Sequence, residues 1–217
     1  MPNLSLYSIL IHIPGILIGL SFHEFAHAFM SDRMGDPTPR SQGRLTLSPI
    51  PHIDIIGFLL ILIAGFGWAK PVQVNPRYYK NPKRDDILVS IAGPITNLIV
   101  AFVFTILLKI LYIYALSGSI SYDNIKILGI LEDIFRYAIS INIILFLFNL
   151  IPLPPLDGFH VLSNLVSSRY YKLLHYLEQY STIILIIIIV TPAISFVLGP
   201  PYSFINDSLL SIFKLPF

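Results

Sequence analysis

The chain has 217 residues, 55% hydrophobic and only 12% charged, with a formal net charge of +2 and no cysteine. A soluble domain carries about 25% charged residues, so the composition excludes an ordinary soluble enzyme. The missing cysteines exclude disulfides and thiolate metal sites, and so small a positive charge is no footprint for nucleic acid.

Apolar runs long enough to span a bilayer predict an all-α polytopic membrane protein, with residues 1–217 forming a single domain. The expected fold has about four full spans, re-entrant segments and a short membrane-surface β-hairpin or sheet. The N-terminus, Met1-Pro2-Asn3-Leu4-Ser5-Leu6, lacks a basic region and a cleavage pattern, so no removable signal peptide is expected.

The first expected span is Leu6 to Met30, with Pro14 as a possible kink. It carries His23-Glu24-Phe25-Ala26-His27. Helical residues four apart lie one above the other, so two imidazoles can aim at one ion. Glu24 is placed to reach a water on that ion as general base. Ionisable groups at membrane depth read as functional by default. Gly15 and Gly19 continue the same spacing and would let another helix approach the histidine face closely.

Residues 31–52 are polar and turn-rich, and Arg44-Leu45-Thr46-Leu47-Ser48 alternates like a strand. Ala69 to Pro76 reads the same way. The two would pair at the membrane surface and offer an edge for an extended peptide. Between them, Ile53 to Trp68 is short for a span. Arg33, Arg40 and Arg44 precede it, and Lys70, Arg77, Lys80, Lys83 and Arg84 follow it. The positive-inside rule puts both groups on one side, so this run is expected to be re-entrant.

A second span is expected from Ile87 to Tyr112. It contains Gly93-Pro94, a site of helix loosening, and Asn97, about 15 Å deep. An amide at that depth needs a partner. Leu128 to Leu150 should span back inward. Three prolines within Ile151 to Pro155 then force irregular backbone, where Asp157 could complete a zinc site. His160 competes for that role, and Asp157 is favoured because its depth matches that of His23 and His27. His175 falls in a cytoplasmic tyrosine-rich stretch and reads as a surface residue. Ser181 to Leu198 is expected as the last span with Pro192 inside it, followed by a short helix from Phe204 to Phe213. Both termini would then lie outside.

Three motifs in order, His23 to His27, Gly93-Pro94-Ile95-Thr96-Asn97, and Asn149 through Leu156-Asp157-Gly158, resemble those of the site-2 protease family of intramembrane zinc metalloproteases. Gly67 to Val72 resembles the small prokaryotic subgroup, and no PDZ domain is seen. The resemblance implies one Zn²⁺ on His23, His27 and Asp157, with Glu24 as catalytic base. It places Asn97 near the substrate or the developing oxyanion. The implied substrate is a membrane-anchored protein cut near the cytoplasmic end of a transmembrane helix, in a prokaryotic cell membrane. Phe159-His160 stands where the family more often has a second glycine, which leaves a role for His160 open. Two other classes also place His and Asp in spans: a divalent-metal transporter and a non-catalytic membrane binding protein. Few polar residues in the outer halves of the spans disfavour the first, and the intact Glu24 disfavours the second. Substrate identity, any preceding protease and oligomeric state are not encoded in a readable way.

Overall fold

The computed structural model describes residues 5–64, 67–117 and 122–216. In chain order the helices are α1 (Leu6–Arg33), α2 (Thr38–Ser41), α3 (Ile55–Ala64), α4 (Pro82–Leu116), α5 (Tyr122–Asn149), α6 (Asp157–Leu165), α7 (Tyr171–Val190) and α8 (Ala193–Ile212). Ser5 caps α1, its Oγ accepting from the Ser8 amide at 3.1 Å. Pro14 and Pro94 lie inside α1 and α4, and both helices run on through them.

Helices α1, α4 and α5 form the centre. Small residues at four-residue spacing set their approach. A Cβ built on Gly15 would stand 2.9 Å from the Ala138 Cα, and one on Gly19 would stand 2.9 Å from Asn142 Oδ1. The glycine stripe of α1 therefore seats α5 directly, as close helix packing without large side chains requires. Val100, Phe104 and Leu108 of α4 and Ile139 and Ile143 of α5 fill the core beside this seam. Helix α8 covers it from the other side with Leu209 and Leu210, and the Tyr202 hydroxyl meets Ser140 at 2.9 Å.

Among the described residues, three helices are long and apolar enough to cross a membrane: α1, α4 and α7. The expected span at Leu128–Leu150 corresponds, but for its last residue, to part of α5, which has 28 residues but carries Glu132, Asp133 and Arg136. These charges are partnered: Glu132 accepts from Arg136 Nε at 2.9 Å and from the Tyr112 hydroxyl at 2.6 Å, and Asp133 accepts from Tyr7. The last expected span is displaced. Thr191 and Pro192 break the helix, because a proline disfavours helical backbone in the residue before it. The apolar helix is thus Tyr171–Val190, and the expected short terminal helix is the longer α8.

Helix α3 spans only ten residues, about 15 Å, half of a bilayer core. The chain returns to where it left, since the Lys70 amide donates to the His52 carbonyl at 2.9 Å. The two ends of the Ile53–Trp68 run therefore lie side by side.

The expected β-hairpin is not formed, and no strand occurs among the described residues. Two things prevent a ladder. Pro49, Pro51, Pro71 and Pro76 lack amide donors, and a side chain takes the carbonyls a ladder would use. The buried Arg44 guanidinium donates to the Pro51 and Lys70 carbonyls, locking the two stretches together without strand pairing.

A second buried charge holds the far end of the 67–75 stretch. Asp36 accepts from the Asn75 amide at 2.7 Å, the Thr38 amide at 2.9 Å and Ser31 Oγ at 2.8 Å. Burial alone would raise its pKa, but these donors outweigh burial and hold it below the usual carboxylate value. A depressed folded pKa contributes stability that is present above the unfolded value and lost as pH falls through the folded one. Thermal unfolding between pH 7 and pH 3 should therefore show a loss that Asp36→Asn removes. That variant should itself cost about 1–3 kcal/mol at pH 7. Identical pH profiles for the two proteins would refute this.

Candidate metal centre and its cavity

Helix α1 presents His23 and His27 one turn apart, with Nε2 atoms 2.9 Å from each other. Asp157, the first residue of α6, brings Oδ2 to 3.2 Å from His23 Nε2 and 3.3 Å from His27 Nε2. Ligands held about 2.0–2.1 Å from one tetrahedral ion lie about 3.3 Å apart, so these three atoms have the spacing of a zinc ligand set.

Hydrogen bonds fix the tautomers. His27 Nδ1 lies 2.7 Å from the Val89 carbonyl, which can only accept, so Nδ1 carries the proton. His23 Nδ1 lies 2.6 Å from Asn97 Oδ1. The Asn97 amide is oriented because its Nδ2 donates to the Gly19 carbonyl at 3.0 Å and to Asn142 Oδ1 at 2.9 Å. Asn142 is oriented in turn by donating to the Ala138 carbonyl at 2.8 Å. With both Nδ1 atoms protonated, both Nε2 atoms turn lone pairs toward the Asp157 oxygen, which is buried and has no hydrogen-bond donor. Three lone pairs converging on one buried point repel unless a cation sits among them. The residues present fit a divalent metal, and an all-nitrogen-and-oxygen set of this kind suits zinc.

The same logic shows what the sequence reading missed. Val89, Gly93 and Asn97 stand four apart on α4 and all face the α1 histidines. Val89 anchors His27 and Asn97 anchors His23. Gly93 supplies clearance: a Cβ there would clash with His27 Nε2 and stand 2.7 Å from His23 Nε2. Spacing four from Asn97 was the available signal, and Gly93 was instead read as a helix loosener. Asn97 also has a different contact from the expected one. Both its amide protons are donated within the protein, so it acts here through His23 rather than on an oxyanion. Positioning partners of this kind are worth about 10- to 100-fold in metal affinity. Asn97→Ala should weaken zinc binding by that factor in a chelator competition. An unchanged affinity would refute the role.

Glu24, one residue from His23, is buried, and its Oε2 accepts from the Val72 amide at 2.8 Å. The 67–75 stretch thus forms one wall of a cavity of about 310 Å³, lined on the other side by His23, His27 and Asp157. His160 lines this cavity too, but pairs with Asp86 instead of joining the ligand cluster. His175 stacks on Tyr171 at the surface of α7.

Residues 11–192 match the family described as peptidase family M50. This chain belongs to peptidase family M50. The M50 match covers the site-2 protease motifs, and no PDZ domain is evident among the described residues. Curated M50-like relatives agree. "Putative zinc metalloprotease YwhC" of Bacillus subtilis is 42% identical over 202 residues, covering 93% of this chain and 90% of that protein. The same designation is borne by MJ0611 of Methanocaldococcus jannaschii, 32% identical over 74% of this chain and 73% of its own length. Rip2 of Mycolicibacterium smegmatis bears it too, at 28% identity over 84% and 68%. No solved structure matches the chain at a significant level. M50 membership and the relatives' designations make this chain a site-2-type zinc metalloprotease with membrane-length apolar helices.

Proposed function

We propose that this M50 protein is an intramembrane-cleaving metalloendopeptidase. It hydrolyses peptide bonds within or near the cytoplasmic end of a transmembrane helix in a membrane-anchored substrate, as a multi-pass protein of a prokaryotic cell membrane. The observation that carries the reading is the convergence of His23, His27 and Asp157 beside Glu24, in a cavity between the helices and the 67–75 stretch.

His23, His27 and Asp157 would hold one zinc ion, leaving Glu24 free of ligand duty. Zinc supplies Lewis acidity to a carbonyl and lowers the pKa of bound water. Glu24 is the residue placed to accept the water's proton and return it to the leaving amine. The Val72 amide orients that carboxylate. Asn97 and the Val89 carbonyl keep both histidines in the ligating tautomer.

A helical substrate hides its carbonyls in its own hydrogen bonds, so it must unwind before attack. The non-helical wall at 67–75 is where an opened segment would lie, with Val74 beside Val72 facing the cavity. Incubating the purified chain with a transmembrane peptide should yield two fragments, and a zinc chelator should prevent their appearance. Equal cleavage with and without the chelator would end this reading.

A further inference from the structure

We propose that His160 is a second catalytic group, whose ring donates to the scissile carbonyl oxygen as it becomes negative, with Asp86 as its positioning residue. This rests on the protease reading above. No role follows for His160 as a ligand, because the ligand set is complete without it.

The placement comes from α6. Asp157 and His160 are three residues apart on this helix, hence on one face, and both line the cavity that contains Glu24. His160 is solvent-accessible there, with 57% of its side chain exposed, so it has room to meet a substrate. Asp86 reaches it from α4. Its Oδ2 lies 3.8 Å from His160 Nδ1 and accepts from Asn164 Nδ2 at 2.5 Å. Asn164 sits one turn beyond His160 and also donates to the His160 carbonyl at 2.9 Å. The carboxylate is thereby tied to α6 and faces one ring nitrogen, which leaves Nε2 as the nitrogen available to a substrate.

No lysine or arginine lines the cavity among the described residues. Both amide protons of Asn97 and the amide of Val72 are already donated within the protein. Apart from the metal ligands, the titratable side chains at the cavity are the carboxylates of Glu24 and Asp86 and the imidazole of His160, and of these only the imidazole can carry a positive charge. A charged donor binds a developing oxyanion about twice as strongly as a neutral one. The groups facing it are Asp86, Asp157 and His27. Asp86 raises its pKa above the ordinary imidazole value, which favours the imidazolium. A raised pKa means the donor is present at low pH and lost as pH rises through it.

The test uses the full zinc-loaded chain in lipid nanodiscs with a transmembrane peptide, comparing wild type, His160→Ala, His160→Lys, Asp86→Asn and Glu24→Gln. His160→Ala should lower kcat by about 10²- to 10³-fold with KM and zinc content unchanged, and should abolish the alkaline limb of the pH profile. His160→Lys should restore part of the loss. Asp86→Asn should move the alkaline limb to lower pH. It should also move the His160 ring titration, followed by NMR without substrate, in the same direction. A merely structural His160 would leave the alkaline limb where it is even though its ring titration moves. His160→Ala within threefold of wild type while Glu24→Gln is inactive overturns this proposal alone. Loss of zinc from His160→Ala overturns it as well, by making the residue part of the metal site. Glu24→Gln as active as wild type, or no cleavage by wild type, overturns the protease reading and this proposal with it.

Discussion

Replacing Glu24 by Gln should lower peptide hydrolysis by about 10³-fold, within the range a positioned general base supplies, while zinc content stays at one per chain. The expectation follows from geometry. Glutamine has the same shape and keeps an oxygen to accept from the Val72 amide at 2.8 Å. The wall at 67–75 therefore has no cause to move. What disappears is the carboxylate next to His23, which stands outside the ligand cluster. The variant should also be no less stable than wild type, because a buried carboxylate that becomes a neutral amide no longer carries a desolvation cost. Metal analysis, thermal unfolding and cleavage of a membrane-anchored reporter check the three parts separately. Full activity would remove Glu24 from the chemistry, and loss of zinc would make it part of the metal site.

Gly93→Ala is the second large effect, and its sign runs against intuition. In a helix interior, alanine is favoured over glycine by about 0.8–1.0 kcal/mol, and α4 is helical on both sides of this position. Secondary structure alone would thus predict a slightly more stable protein. The added methyl, however, would clash with His27 Nε2 and stand 2.7 Å from both Nε2 and Cε1 of His23. Those rings cannot retreat freely, since Val89 and Asn97 hold their Nδ1 atoms. We expect a folded protein with near-native helicity that has lost zinc and at least 10²-fold of its activity, because an off-geometry site loses that much from a displacement of about 1 Å. Circular dichroism together with metal content decides it. Retained zinc at full occupancy would show that α4 yields by enough to admit the methyl.

The close approach that makes Gly93 sensitive also explains why the site is built on helices. Gly15 and Gly19 of α1 meet Ala138 and Asn142 of α5, while Val89, Gly93 and Asn97 of α4 meet His27 and His23. Each contact repeats every four residues, so three rigid helices register against one another at the depth of the ligands. Sites carried on such elements are held more tightly than sites on loops. The 67–75 wall and α6 are held by charged side chains: Arg44 at Lys70, Asp36 at Asn75 and Asp86 at Asn164.

Much of this was legible in the residues. His23, Glu24 and His27 are local in sequence and a helix has one period, so their shared face follows without coordinates. Charge on the flanks of Ile53–Trp68 led to the expectation that its two ends share one side, because the membrane sorts Lys and Arg by side, and the His52 carbonyl and the Lys70 amide are bonded at 2.9 Å. Alternation at Arg44–Ser48 and Ala69–Pro76 misled, since period two describes side-chain direction and says nothing of whether amide donors and carbonyls find each other. Here prolines removed donors, and Arg44 took two of the carbonyls. The last span was misplaced because hydropathy is continuous across Thr191-Pro192 whereas helical backbone is not.

Composition and the spacing of His23, Glu24 and His27 thus determined by themselves that this is an apolar helical protein with two imidazoles and a base on one face. Those properties depend only on residue type and helical period. Only the tertiary structure decided that Asp157 and not His160 joins them, that Asn97 orients His23, and that Gly93 makes the room. Each of these depends on distances between segments tens of residues apart, which packing sets and local sequence does not.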